Sequence, residues 1–205
     1  MALVVAKFGG TSLATTERIK DVAQLIVDKV EGGDQVVAVV SAMGSSTDDL
    51  LALADSINKH PSDREKDRLL STGEQVSMTL LSMALQALGY KSLSFTGRQA
   101  GIKTDGRHAK AKILSIDSPR IKKALKDGYI PVVAGFQGID ATSDMTTLGR
   151  GGSDTTAVAV AWAIDADICE IYSDVEGVYT ADPRICPRAQ KLDQLCYDLS
   201  DIART

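Results

Sequence analysis

The chain has 205 residues, 44% of them hydrophobic and 24% charged, with a net charge of −4. That suffices for one sizeable core, and it carries no basic block or aromatic–basic stripe of the kind that reads nucleic acid. No apolar run approaches the roughly 20 residues a membrane helix needs, and the chain opens at once on a strand-like run, Leu3 to Ala6, so neither a span nor a signal peptide is expected. Cys169, Cys186 and Cys196 are odd in number and lack metal-ligand spacing, which reads as reduced thiols in a cytoplasmic protein.

Strand and helix alternate from the start. Ala2 to Phe8 reads as a short apolar strand, followed by Gly9-Gly10-Thr11-Ser12. Ile19, Val22, Ala23, Ile26 and Val30 then form a stripe at helical spacing, stopped by Gly32-Gly33. Lys7 stands at the strand's end, where open parallel sheets bind ligands. There it can meet a phosphate held by the amides of Gly9 and Gly10, although the spacing fits neither of the common glycine-rich nucleotide motifs. Gln35 to Val40 is a near-continuous apolar run, as in a parallel strand buried on both faces. A polar loop, Ser41 to Thr47, leads into a helix from about Asp48 to Ile57. Ser41 and Thr47 fall on the same rim, where hydroxyls also serve as helix caps.

His60-Pro61-Ser62 breaks the chain, and Ser62 with Glu65 has the capping-box spacing that starts another helix. Leu69 to Gln75 leads into a long apolar helix, Val76 to Leu88, closed by Gly89. Glu74, at its mouth, either holds an amino group or serves the dipole as a first-turn acid. His60 and His108 lie in polar surroundings and read as solvated, with no role. Lys91 to Phe95 is a strand. Thr96 to Lys112 is an irregular excursion or a small hairpin, and Ile113 to Ile116 a short strand. A helix begins at Pro119 and ends at Gly128; Tyr129 to Ala134 is a core strand with Gly135 to Gly138 as its rim loop.

Thr146 to Thr156 carries the strongest local signal. Gly149, Gly151 and Gly152 allow a tight turn and close approach to a ligand. The small-residue run after it reads as a helix, Ala157 to Ile164, whose positive end faces the turn and suits an anion. Arg150 adds a planar fork for a carboxylate or phosphate. Asp154 sits in the first helical turn, able to hold a cation or a lysine, and Ser153 or Asp154 can equally cap the helix. Asp167 to Tyr172 is a further strand, followed by a long polar loop from Ser173 to Arg184.

Six motifs occur in one order: Lys7 to Ser12, Val40 to Met43, Ser71 to Glu74, Val133 to Gly138, Thr147 to Asp154, and Tyr172 to Val175 with Tyr179 to Arg184. Together they closely resemble aspartokinase, of the amino acid kinase family, from residue 1 to about Leu195. The resemblance implies a three-layer αβα sandwich around a mostly parallel, open sheet. It implies transfer of a phosphoryl group from MgATP to the side-chain carboxylate of L-aspartate, the first step of aspartate-family amino acid synthesis. By the same resemblance Lys7, held by Asp154, neutralises the transferring group beside Gly9 and Gly10. Arg150 takes a substrate carboxylate and Glu74 the α-amino group, with Ser41, Thr47 and Ser153 completing the amino-acid site. Ser173, Asp174, Tyr179, Asp182 and Arg184 form the nucleotide side. ATP and Mg2+ are the expected cofactors, with no metal site on the protein alone.

Residues 196–205 drift from the family pattern. Residues 1–205 are therefore expected to form a kinase catalytic domain incomplete at its C-terminal end, with no regulatory domain. Its nucleotide side is expected to be the less complete, and its uncovered surface to associate with a second copy or another subunit. The alternative function is a non-catalytic module of the same fold that binds aspartate or pairs with another subunit.

Overall fold

In the computed structural model, which describes residues 1–173 and, beyond them, residues 177, 186, 188 and 190, alternation along the strands decides the layering. β1 (Leu3–Phe8) is buried along nearly its whole length, so each side chain must enter one helix layer or the other. Ala6 and Phe8 point to the side of α1 (Thr16–Glu31), and Val5 points away from it. β2 (Gln35–Val40) repeats the pattern, with Val36, Ala38 and Val40 on the α1 side and Val37 and Val39 opposite. The chain continues through α2 (Ser46–Ile57), α3 (Asp63–Ala87), β3 (Ser92–Phe95), β4 (Ile102–Thr104), β5 (Ile113–Ile116), α4 (Pro119–Lys126) and β6 (Ile130–Ala134). It then passes β7 (Gln137–Ile139), β8 (Met145–Thr147), α5 (Gly152–Ile164) and β9 (Ile168–Tyr172).

Among the described residues, β3, β6, β2, β1 and β9 form one sheet in that order, parallel throughout. α1 and α3 cover one face through Ile19, Ile26, Leu81 and Leu85; α4 and α5 cover the other through Ile121, Leu125, Val160 and Ile164. This is the three-layer αβα sandwich that the sequence predicts. A second, mixed sheet in the order β5, β4, β7, β8 lies beyond it. The excursion after Phe95 thus resolves as the antiparallel pair β4–β5, and Gln137-Gly138, expected in a rim loop, belong to β7. β4, β7 and β8 are three residues long, too short for period-two alternation to be read in sequence.

Between Ser62 and Leu88 the sequence predicts two helices; the structure joins them into the single 25-residue α3. The predicted cap is present, with the Glu65 amide donating to the Ser62 hydroxyl oxygen at 3.4 Å. Gly73 does not break the helix. A Cβ there would stand 2.9 Å from the Ala42 Cβ, so glycine lets α3 lie directly against the loop after β2. Glu74 consequently sits near the middle of a helix, not in its first turn, and the dipole reading of that residue falls.

Gly73→Ala is expected to destabilise the fold by about 1 kcal/mol, the contact with Ala42 outweighing the helix-propensity gain of similar size. Adding Ala42→Gly to the same chain should restore the loss. Urea denaturation of the two variants beside the parent measures both.

Candidate active site

β1, β2 and β6 run parallel, so the loops after them open on one rim. A cavity of about 350 Å³ lies there. Lys7 and Gly10 line it from the first turn, Ser41, Ala42, Gly44 and Thr47 from the second, and Glu74 from α3. Phe136 closes it from the loop after β6, and residues 149–154 from the turn and first residues of α5. Every residue predicted for the amino-acid side (Ser41, Thr47, Glu74, Arg150 and Ser153) is therefore brought to the same space as Lys7 and Asp154.

Lys7 follows Val5 on the α5 side of β1 and is only 7% exposed. Its Nζ lies 2.6 Å from Asp154 Oδ1, in the first turn of α5. That oxygen is shut off from water and makes no hydrogen bond of good angle; the Lys7 ammonium is the charge set against it. Gly149 (φ +81°) and Gly151 (φ +76°) both adopt the left-handed conformation that side chains resist. Their double reversal carries Arg150 out on the rim while keeping the start of α5 against the cavity.

Glu74 is 3% exposed. Its Oε1 accepts the Ala42 amide at 3.1 Å, and its Oε2 is buried without a partner. One turn on, the Ser77 hydroxyl donates to the Ser41 carbonyl at 2.7 Å, so α3 grips the β2 loop twice. Across the cavity the Phe136 amide donates to the Thr156 hydroxyl at 3.1 Å, fixing the β6 loop to α5. Burial pushes the Glu74 carboxyl up to about 7, and the Ala42 amide pulls the other way without prevailing. Glu74 lines the cavity, and a buried carboxylate with an unpaired oxygen can receive a cation.

The residues expected on a nucleotide side are partly visible. Gly10 lines the cavity, but the Gly9 amide donates to the Tyr172 carbonyl at 3.1 Å and is not turned to a ligand in this conformation. β9 runs beside β1 and delivers Ser173 to the same rim. Asp174, Tyr179, Asp182 and Arg184 lie outside the described residues. His108, read from sequence as solvated, places Nδ1 2.8 Å from Oδ2 of the fully buried Asp67. Asp67 itself was not legible as a site residue. Its signal is the series Asp67, Ser71, Glu74, Ser77, which keeps helical spacing on a buried face. Among the described residues no helix is long and apolar enough to cross a membrane.

Fold and rim together define an α/β protein with a charged, polar cavity beyond the C-terminal ends of parallel strands. The chain belongs to the amino acid kinase family, whose family model matches residues 2–201. It is 54% identical over 198 residues to an aspartokinase of Geobacillus stearothermophilus, a match covering 97% of this chain and 49% of that one. Its structure is similar to aspartate kinase from Synechocystis (TM-score 0.78, 55% identity, 92% of this chain and 31% of that chain). It is also similar to E. coli aspartokinase III in complex with aspartate and ADP (TM-score 0.79, 26% identity, 93% of this chain and 53% of that chain). The chain spans about half the length of the curated relatives it matches.

A carboxyl raised from 4.5 to about 7 binds more protons folded than unfolded across that window. Stability of the ligand-free protein should therefore fall as pH rises from about 4.5 to about 7 and level off above it. The shift corresponds to about 3 kcal/mol. Glu74→Gln, which keeps the shape without the charge, is expected to be close to the parent at pH 5 and more stable by up to that amount at pH 8. Urea titrations at the two pH values measure the difference.

Proposed function

We propose that the chain is the catalytic part of an aspartate kinase, transferring the γ-phosphoryl group of MgATP to the side-chain carboxylate of L-aspartate. The observation that carries this reading is one cavity holding the Lys7–Asp154 pair, Glu74 and Arg150 together. Aspartate is one ammonium and two carboxylates, and the cavity offers the complementary set. Glu74 takes the α-ammonium on its unpaired oxygen. Arg150 takes the α-carboxylate, with Ser41, Thr47 and Ser153 completing the pocket by hydrogen bonds. The side-chain carboxylate is then directed toward Lys7.

Phosphoryl transfer asks the protein for positioning and charge neutralisation. An oxygen of the substrate carboxylate forms the new bond to the γ-phosphorus. The bond from that phosphorus to the β–γ bridging oxygen breaks, and ADP leaves with the electron pair. No general base takes part, because the nucleophile is already ionised at neutral pH. Lys7 neutralises the equatorial oxygens as charge spreads over them, with Gly10 and the positive end of α5 beside it. Asp154 holds the ammonium in place. Mg2+ bound with the nucleotide would supply charge neutralisation on its phosphates. Ser173 and, beyond it, Asp174, Tyr179, Asp182 and Arg184 form the nucleotide side. The product, 4-phospho-L-aspartate, is an activated acyl phosphate, suited to the first step of aspartate-family amino acid synthesis.

β9 is the sheet's edge among the described residues, and Ile168 and Ile171 on it are exposed. These apolar groups support association through this side, with the remainder of a longer protein or with a second subunit.

A coupled assay of ADP release with L-aspartate tests the reading directly, and absence of aspartate-dependent release would overturn it. Lys7→Ala and Asp154→Ala should each reduce the rate by at least about 100-fold with unchanged circular dichroism. An undiminished rate in the Lys7 variant would remove it from the chemistry. Glu74→Gln should weaken aspartate binding while leaving ATP binding near the parent value, both by calorimetry; equal losses for the two ligands would make Glu74 structural.

A further inference from the structure

Asp67 lies on α3 seven residues before Glu74, two turns along the same buried face. It is fully buried, and every partner of its carboxylate comes from elsewhere in the chain. The Ala109 amide donates to both oxygens at 3.0 Å. The Thr147 hydroxyl donates to Oδ1 at 2.5 Å, and His108 Nδ1 lies 2.8 Å from Oδ2. These partners belong to the two segments that carry the Gly149–Arg150 turn. Thr147 is the last residue of β8, directly before that turn. The Ala109 carbonyl lies under Gly149, where a Cβ would come within 3.2 Å of it. The Ala111 amide closes the assembly by donating to the Thr147 carbonyl at 2.9 Å. Asp67 thus fastens both the strand that enters the turn and the loop on which the turn rests.

We propose that Asp67 is a positioning residue that sets Arg150 against Glu74, making α3 the common frame for the two groups that read the amino-acid end of the substrate. The inference rests on the function proposed above. Seven residues of helix span about 10 Å and do not stretch. A loop pinned at one end of that interval and a carboxylate displayed at the other therefore hold a constant separation. A ligand whose ammonium and α-carboxylate are one carbon apart needs that constancy, since a shift of about 1 Å in a positioning group costs up to about 100-fold. A purely structural Asp67 would serve stability and leave ligand preference untouched.

Calorimetric titration of L-aspartate and of MgATP, on the parent chain and on Asp67→Asn, separates the two roles. Asparagine keeps the volume but leaves only one oxygen for the donors that now share two. The expected result is an aspartate Kd raised at least about tenfold with the ATP Kd within about twofold of the parent. In an Arg150→Ala background Asp67→Asn should then produce no further loss, because its effect runs through that side chain. Equal aspartate affinity in parent and variant, equal losses for aspartate and ATP, or an undiminished effect in the Arg150→Ala background would each overturn the proposal. If Asp67→Asn does not fold, Thr147→Val removes a single donor at constant shape. It should raise the aspartate Kd about threefold, with ATP unaffected and no effect beside Arg150→Ala; no change in aspartate affinity would overturn the proposal. Failure of the parent itself to bind aspartate would overturn the functional reading and this inference with it, whereas failure of the positioning role alone leaves parent binding intact.

Discussion

Lys7 reaches Asp154 because β1 is buried on both faces. With helices above and below, the strand has no solvent side on which a lysine stem could lie. Period two sends residue 7 into the layer that already holds Val5, and its stem runs through apolar surroundings toward the strand's end. An ammonium so placed needs a counter-charge nearby. Asp154 supplies it from the one helical turn whose dipole favours an acid. The same turn carries the glycines that project Arg150. Strand alternation, ion pair and anion-binding turn are therefore consequences of one packing decision.

α3 works as two helices end to end. Its C-terminal half turns Met78, Leu81 and Leu85 onto the sheet. Nearer its N-terminal end it turns Asp67, Glu74 and Ser77 onto other segments, where each side chain meets a backbone or side-chain group, while the Ser71 hydroxyl bonds back to the Arg68 carbonyl. Glu74 is the exception that matters, since one of its oxygens meets nothing. A dry, unpaired carboxylate oxygen weakens the empty protein and is relieved by a proton or by a cation. On the function proposed above, stability withheld from the ligand-free state would be available as selectivity for a ligand bearing an ammonium, a trade often seen at functional sites.

The cavity's charges are mixed in sign and set on opposite walls. Lys7 and Arg150 stand on the β1 and α5 sides, Glu74 on the α3 side. A simple anion would meet Glu74 unfavourably, and a simple cation would meet Arg150 and Lys7. On the function proposed above, a zwitterion with an additional carboxylate would satisfy all of them.

The sequence by itself determined the layered fold and most of the residues that the rim cavity gathers. The apolar run from Val36 to Val40, the Ser62 cap and the glycine turns after Phe8 and around Arg150 all act within a few residues, so their signals survive in one dimension. Local signals could not report that one helix runs on through Gly73, whose missing side chain makes room for Ala42 on another loop. Nor could they report the depth of Glu74, whose partner is 32 residues away, or the role of Asp67, tied to a threonine 80 residues on. The Gly9 amide, open by its motif, is taken by the Tyr172 carbonyl of the strand that pairs with β1 late in the chain. Periodicity and turn chemistry are properties of neighbours along the chain; burial, and with it the charge state of a carboxylate, belongs to whatever the fold brings against it.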